Sequence, residues 1–189
     1  CDSPRTVCSL LAEQLDDDGV DPADLCVFDV GAGNGMVGEQ LKAMGAGSVV
    51  GVDIIQAAAE ATDRDRPEVY EDFLVLDLTD IPADTLSELE GRRFNCLTTV
   101  AALGFGDIPP DAFAAAFNLV GDGGHVAFNI KEDFMADEDD SGFSGLIRHA
   151  LEDGTLVLER DRRYRHRLSV TGEPLHYMAM VAGKRRDLP

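Results

Sequence analysis

The sequence predicts an α/β protein built on a doubly wound, seven-stranded sheet, mostly parallel and finished by an antiparallel C-terminal hairpin. Three observations carry this prediction. Short apolar runs alternate with helical segments from Leu25 to Ile130, as in βαβ units whose sheet is covered on both faces. The run Cys26-Val27-Phe28-Asp29-Val30-Gly31-Ala32-Gly33-Asn34-Gly35-Met36 joins a strand to a helix through glycines at alternate positions. The last two strand-like stretches are joined only by Ser169-Val170-Thr171-Gly172-Glu173-Pro174, a connection that permits a hairpin but no helical crossover.

Each element follows in turn. Pro4 to Leu15 has helical spacing, with Val7, Leu10, Leu11 and Leu15 on one side, and Asp16-Asp17-Asp18-Gly19 is expected to end it. Residues 1–22 thus read as an N-terminal helix and linker, and residues 25–185 as the core of a single domain spanning 1–189. Strand one runs from Leu25 to Val30, and Met36 to Met44 is helical. Ser48 to Asp53 is a second buried strand, and Gln56 to Asp63 a helix that stops before Pro67. Val69 to Leu78 reads as strand three. Pro82 opens a helix through Glu90, where a missing N–H costs least. Phe94 to Leu103 is strand four, Pro110 to Val120 a helix, and His125 to Ile130 strand five. A helix from Phe143 to Leu151 precedes the strands Thr155 to Leu168 and Leu175 to Lys184.

Composition bounds the function. At 189 residues the chain can bury a substantial core, and 44% hydrophobic content is ordinary for a globular protein. No apolar run approaches the ~20 residues of a membrane span, so a cytoplasmic protein without a membrane partner is expected. The chain begins with Cys1, which points to a processed or trimmed chain with lid segments missing upstream. Cys1, Cys8, Cys26 and Cys96 lack paired metal-ligand spacing, so neither a disulfide framework nor a metal site is expected. The formal net charge of −20 repels phosphate backbones and argues against a nucleic-acid partner.

The glycine turn is the most informative segment. Glycine lets a backbone approach a ligand closely, and the helix start beyond it offers free N–H groups. Counted from Gly33, the segment Gly33-Asn34-Gly35-Met36-Val37-Gly38 satisfies the dinucleotide pattern, with Asp53 ~20 residues on. That register leaves Gly31 unexplained and puts Asp29 in an otherwise apolar strand. Counted from Asp29, the pattern is Asp-x-Gly-x-Gly-x-Gly. Acidic residues then recur, with Asp53 ending strand two and Asp77 ending strand three. Ligands of open α/β sheets bind beyond the carboxyl ends of the strands, so these carboxylates would ring one crevice. Asp53 suits the hydroxyls of a ribose. Asp77 suits an exocyclic adenine amine, with Ile54 and Leu78 enclosing the ring. Asp29 could fix the turn or reach an amino group. Carboxylates there would repel a pyrophosphate, so a cationic adenosine such as S-adenosylmethionine suits the crevice better than NAD.

On these residues the chain resembles the class I S-adenosylmethionine-dependent methyltransferases. The resemblance rests on the turn from Val27 to Gly35, on Gly51-Val52-Asp53-Ile54, on Leu76-Asp77-Leu78, and on Gly121-Asp122-Gly123-Gly124. It implies a Rossmann-like fold, S-adenosylmethionine as cofactor and S-adenosylhomocysteine as product. The implied cofactor residues are Asp29, Gly31, Ala32, Gly33, Asn34, Gly35, Asp53, Ile54, Asp77, Leu78, Val100 and Ala101. More narrowly, residues 94–104 and Gly172-Glu173-Pro174-Leu175-His176-Tyr177 are similar to the Williams–Beuren-region methyltransferase-like proteins.

Departures narrow the acceptor. Members that methylate amino groups of bases or of glutamine carry an acidic or Asn residue, then Pro-Pro and an aromatic, after strand four; here stand Val100-Ala101-Ala102-Leu103. No Pro-Cys pair marks a covalent nucleophile. No catalytic residue is assigned, although His176, near the last connection, is the best placed of four histidines for a general base. Glu132-Asp133 and Asp137 to Asp140 read as a solvated loop, and the arginines at 160, 162, 163, 165 and 167 as charges protecting an edge strand. The expected function is methyl transfer to a small-molecule acceptor. An NAD-dependent oxidoreductase and a non-catalytic S-adenosylmethionine-binding module are the alternatives.

Overall fold

The structure, a computed structural model, describes residues 2–103, 108–132, 142–168 and 172–189. The acidic run 137–140 with Asp133, Gly104, and residues 169–171 of the last connection lie outside the described residues. Seven strands form one sheet: β1 (Cys26–Val30), β2 (Ser48–Asp53), β3 (Asp72–Val75), β4 (Cys96–Thr99), β5 (His125–Lys131), β6 (Leu156–Leu168) and β7 (Pro174–Lys184). Their order is β3-β2-β1-β4-β5-β7-β6, with β7 antiparallel to both β5 and β6 and the other pairs parallel. The expected doubly wound sheet with its terminal hairpin is therefore present. The strand order reverses at β1, between β2 and β4, which opens a crevice at the carboxyl ends of these strands.

The helices are α1 (Ser3–Asp18), α2 (Met36–Met44), α3 (Gln56–Asp65), α4 (Ala83–Gly91), α5 (Pro110–Asn118) and α6 (Phe143–Glu152). They cover two apolar layers, one on each face of the sheet. On one face Phe28, Val30 and Leu97 pack with Phe113, Phe117 and Ile147. On the other, Val27, Val49 and Cys96 pack with Leu10 and Leu11 of α1 and Leu41 of α2. Successive residues of a strand point to opposite faces, so Phe28 and Val27 serve different layers. Phe28 stacks on Phe94 with ring centroids 4.7 Å apart; fully burying such a ring contributes about 1.5–3 kcal/mol.

Three elements differ from the sequence reading by three residues or more at an end. Helix α1 runs through all three aspartates and stops at Gly19, whose φ of 66° forms a left-handed cap. Acids are unfavourable at a helix C-terminus, but Arg160 of β6 pairs with Asp17, and Arg162 reaches Glu13 at 2.9 Å. Arg160 and Arg162 of this edge strand thus hold α1, whereas Arg163 pairs with Glu132. Strand β3 covers four residues of the ten expected, and it stops at Val75 because β2, its partner among the described residues, ends opposite it at Asp53. Strand β4 stops at Thr99 rather than Leu103, and Ala101 takes a φ of 61°.

Candidate functional site

The turn after β1 is made by Gly31, Gly33 and Gly35, with φ of 69°, 56° and 81°. This left-handed region is costly for residues with a Cβ. The Gly31 and Ala32 N–H groups both donate to the Val52 carbonyl, at 2.9 and 3.0 Å. The Gly33 N–H donates to Asp53 Oδ2 at 2.9 Å, and Thr62 Oγ1 donates to the Gly33 carbonyl at 3.0 Å. The loop is therefore held from β2 and α3. Space is scarce as well, since a Cβ on Gly31 would lie 2.8 Å from Ala102 Cβ. Gly38 lies against Tyr70, where a Cβ would sit 2.6 Å from the ring.

Beside the turn is a cavity of about 260 Å³, lined by Gly31, Asp53, Ile54, Ile55, Leu76, Asp77, Leu78, Ala101, Ala102, Ile108, Pro109 and Ala112, with Val30 and Val52 behind them. Six residues named from the sequence meet there: Gly31, Asp53, Ile54, Asp77, Leu78 and Ala101. Asp53 accepts from the Gly33 N–H with one oxygen and from the Ile55 N–H with the other at 3.0 Å. An ionised carboxylate has about four acceptor sites, so capacity for a ligand remains. Asp77 lies two residues beyond β3 and caps its own turn, accepting from Thr79 Oγ1 at 2.7 Å and from the Thr79 N–H at 2.9 Å. These bonds hold its pKa below the ordinary carboxylate value. Ile54 is 60% exposed at the cavity's lip, whereas Leu78 is buried beneath it.

The other named residues lie outside the cavity lining. Ala32, Gly33, Asn34 and Gly35 form the turn itself, and Val100 is buried in the layer facing α1. Asp29 is 1% exposed beneath the turn. It accepts from Tyr70 Oη at 2.6 Å and from Thr98 Oγ1 at 2.7 Å. Burial, helped by the nearby Asp53 charge, pushes its pKa up to about 6 against the pull of these two bonds. The Tyr70 phenol is pushed up in turn, by burial and then by Asp29.

Sequence reasoning missed the wall formed by Ala102, Ile108, Pro109 and Ala112. It carried strand four through Leu103, so these residues had no place near the crevice. The signal that could have found them is the Pro109-Pro110 pair, which starts α5 at the cavity rim. Also unforeseen is the support of Ala101, whose N–H donates to Asn129 Oδ1 at 2.6 Å. Asn129 Nδ2 donates to Tyr164 Oη at 2.6 Å, Tyr164 donates to Ser3 Oγ at 2.7 Å, and Ser3 Oγ lies 2.6 Å from His166 Nδ1. Burial lowers the pKa of His166, which suits an acceptor at the end of this chain. His176 is registered with Arg165 within the hairpin.

Two carboxylates and an apolar slot line this cavity, and its described lining holds no basic residue. Arg66, beside the turn, is engaged by Glu39 and by the Asn34 carbonyl. The arrangement suits an uncharged or cationic ligand with an apolar ring and hydroxyl donors, and opposes a diphosphate.

A comparison of the sequence with curated proteins found no match. Solved structures share the fold. The magnesium protoporphyrin IX methyltransferase of Synechocystis, with S-adenosylmethionine bound, is 18% identical with a TM-score of 0.66, covering 96% of this chain and 79% of that one. The N-methyltransferase NodS of Bradyrhizobium japonicum is 12% identical with a TM-score of 0.63, covering 96% of each chain. A candidate RNA methyltransferase from Pyrococcus horikoshii is 16% identical with a TM-score of 0.68, covering 94% of this chain and 83% of that one. Residues 2–170 match the profile of the methyltransferase domain. With that match spanning most of its length, and with the glycine turn and acidic strand ends in place, the chain belongs to this family of S-adenosylmethionine-dependent methyltransferases.

Proposed function

We propose that this chain transfers a methyl group from S-adenosylmethionine to a small-molecule acceptor by direct displacement, residues 1–189 acting as one domain. The observation that carries the reading is the conjunction of Asp53 and Asp77 with an apolar slot at the carboxyl ends of β2 and β3. The residues present fit an adenosine. Asp53 has acceptor capacity for ribose hydroxyls, Asp77 for an adenine amine, and Ile54 and Leu78 for the two ring faces. The backbone from Gly31 through Gly35, with Asp29 beneath it and Val100 and Ala101 opposite, would take the amino-acid portion. Gly31 has no room for a Cβ, as a close backbone approach requires.

When bound, S-adenosylmethionine supplies a methyl group on a cationic sulfur, a leaving group already in place. The chain's own contribution is then placement, which can lower a barrier by about 7–11 kcal/mol in favourable cases. Support for a small acceptor comes from the net charge of −20, which opposes a nucleic-acid partner. It comes also from the apolar Val100-Ala101-Ala102-Leu103, which stands where base-methylating members carry Pro-Pro. Among the described residues no helix is long and apolar enough to cross a membrane, and we take the cytoplasm as the site of action. The narrower likeness to the Williams–Beuren-region proteins rests on residues 94–104 and 172–177, the second lying beyond the matched residues.

Calorimetry with S-adenosylmethionine, S-adenosylhomocysteine and NAD, followed by label transfer to small-molecule and RNA panels, tests the proposal. Binding of the first two with transfer to a small molecule is expected. Binding of NAD alone would overturn the cofactor, and transfer to RNA alone would overturn the acceptor. Binding without any transfer would favour a non-catalytic module.

A further inference from the structure

A second cluster of chemistry-bearing side chains sits at the opposite end of the sheet from the crevice. His125 opens β5, Asp18 closes α1, and Glu159 lies in β6. One ligand atom from each lies within 4.8 Å of the others. His125 Nδ1 is 3.7 Å from Glu159 Oε2, and His125 Nε2 is 4.0 Å from Asp18 Oδ2. Both distances exceed a hydrogen bond. His125 Nδ1 and Glu159 Oε2 are nonetheless buried atoms without a hydrogen-bond partner. Buried polar atoms of this kind are rare, because leaving one unsatisfied costs about 1–3 kcal/mol.

The backbone is shaped to make this meeting. Glu159 is the extra residue of a β-bulge, since Leu158 pairs with Ala182 and Arg160 already pairs with Val181. Bulges re-aim a side chain. Between Glu159 and His125 stands Gly183, which is in register with His125. A Cβ on Gly183 would lie 2.7 Å from Glu159 Oε1, so a side chain there would push the carboxylate off its path across β7. The third group is held from α1, where Gln14 Nε2 donates to Asp18 Oδ2 at 3.1 Å. Gln14 Oε1 in turn accepts from Arg160 Nε at 2.9 Å. Outer partners of this kind orient metal-ligating carboxylates.

We propose that Asp18, His125 and Glu159 bind a divalent transition-metal ion of the Zn²⁺ type, clamping the end of α1 to β5 and β6. One imidazole with two carboxylates is a borderline donor set suited to Zn²⁺ rather than to Mg²⁺, which prefers oxygen alone. Zinc bonds of about 2.0–2.2 Å require the donors to draw closer together. The Asp18 side chain, 38% exposed at its helix end, has the freedom to do so. The three ligands come from distant parts of the sequence, so spacing along the chain held no sign of them, and the proposal departs from the expectation of no metal site.

The test uses the full chain, stripped with a chelator and titrated with Zn²⁺ in a large excess of Mg²⁺. Co²⁺ absorption serves as a second readout. The expected result is one equivalent bound per chain, a raised melting temperature, and visible Co²⁺ bands that His125→Asn removes. Glu159→Gln and His125→Asn should each weaken binding by about tenfold or more, while circular dichroism reports whether the variant still folds. The exposed pair of His149 in α6 and Asp153 just after it, 3.7 Å apart, is the control. Binding lost in His149→Gln but kept in Glu159→Gln would overturn the site. So would binding abolished by Mg²⁺, which marks a diffuse response of an acidic surface. No binding at all would equally overturn the proposal.

Discussion

The phenol of Tyr70 donates to the buried carboxylate of Asp29 at 2.6 Å, joining the segment before β3 to the strand that launches the glycine turn. The same ring lies against Gly38 of α2. One aromatic residue therefore seats the helix and holds the acid beneath the turn. Replacing it with Phe keeps the packing and deletes the bond. A hydrogen bond to a charged group contributes about 1.5–3 kcal/mol, so Tyr70→Phe should lose that much stability near neutral pH, measured by urea denaturation. The loss should shrink once Asp29 is protonated.

Asp29 itself makes stability depend on pH. Its folded pKa of about 6 lies above the unfolded value of about 3.9. Between these values the native state binds more protons than the unfolded state, so this group's contribution falls as pH rises from about 4 to 6 and then levels off. The span is worth about 3 kcal/mol. Asp29→Asn has no proton to lose, and its stability relative to wild type should improve by about that amount across the window. Denaturant midpoints on either side of the window check this, and a difference independent of pH would refute it.

Asp53→Ala should weaken S-adenosylmethionine by about 1–3 kcal/mol if the carboxylate holds the ribose. Because Asp53 also accepts from the Gly33 and Ile55 N–H groups, the variant should lose stability too. Calorimetry on the folded fraction separates the effects, and unchanged affinity would remove the ribose assignment.

Ile54 offers a cleaner probe of the slot, since it is 60% exposed and contributes little to the core. Ile54→Ala should change stability by no more than about 0.5 kcal/mol while weakening the cofactor by about 1–2 kcal/mol through lost apolar burial. Leu78→Ala, at a residue 7% exposed, should instead cost about 2–5 kcal/mol of stability. Thermal melts with and without cofactor distinguish the two.

Gly31→Ala and Gly45→Ala form a matched pair. Both glycines have positive φ, at 69° and 95°, but a Cβ on Gly45 meets nothing within 4 Å whereas one on Gly31 meets Ala102 at 2.8 Å. Each should lose about 1–3 kcal/mol from backbone strain. Only Gly31→Ala should also abolish cofactor binding, as calorimetry would show.

The order of elements, the terminal hairpin and the Asp53 end of the crevice were legible because they are written locally, in apolar alternation and glycine spacing. Helix α2 matches the expected Met36–Met44 in full, bounded as it is by glycine on each side. What was illegible depends on contacts between distant residues. The end of β3 is set by the length of β2, and the end of β4 by Asn129 drawing Ala101 out of line. Nothing near Asp29 in the sequence announces Tyr70 as its partner. The wall from Ile108 to Ala112 needed the strand before it to stop early, and only the three-dimensional register imposes that stop.

Asn129, Tyr164, Ser3 and His166 run as one line of polar contacts from the cavity wall to the first turn of α1. The opening helix is thus scaffolding for the reactive end of the molecule, much as a tie-rod braces a distant beam. Removing α1 would slacken Ala101, and damage to ligand capture would appear far from the deletion.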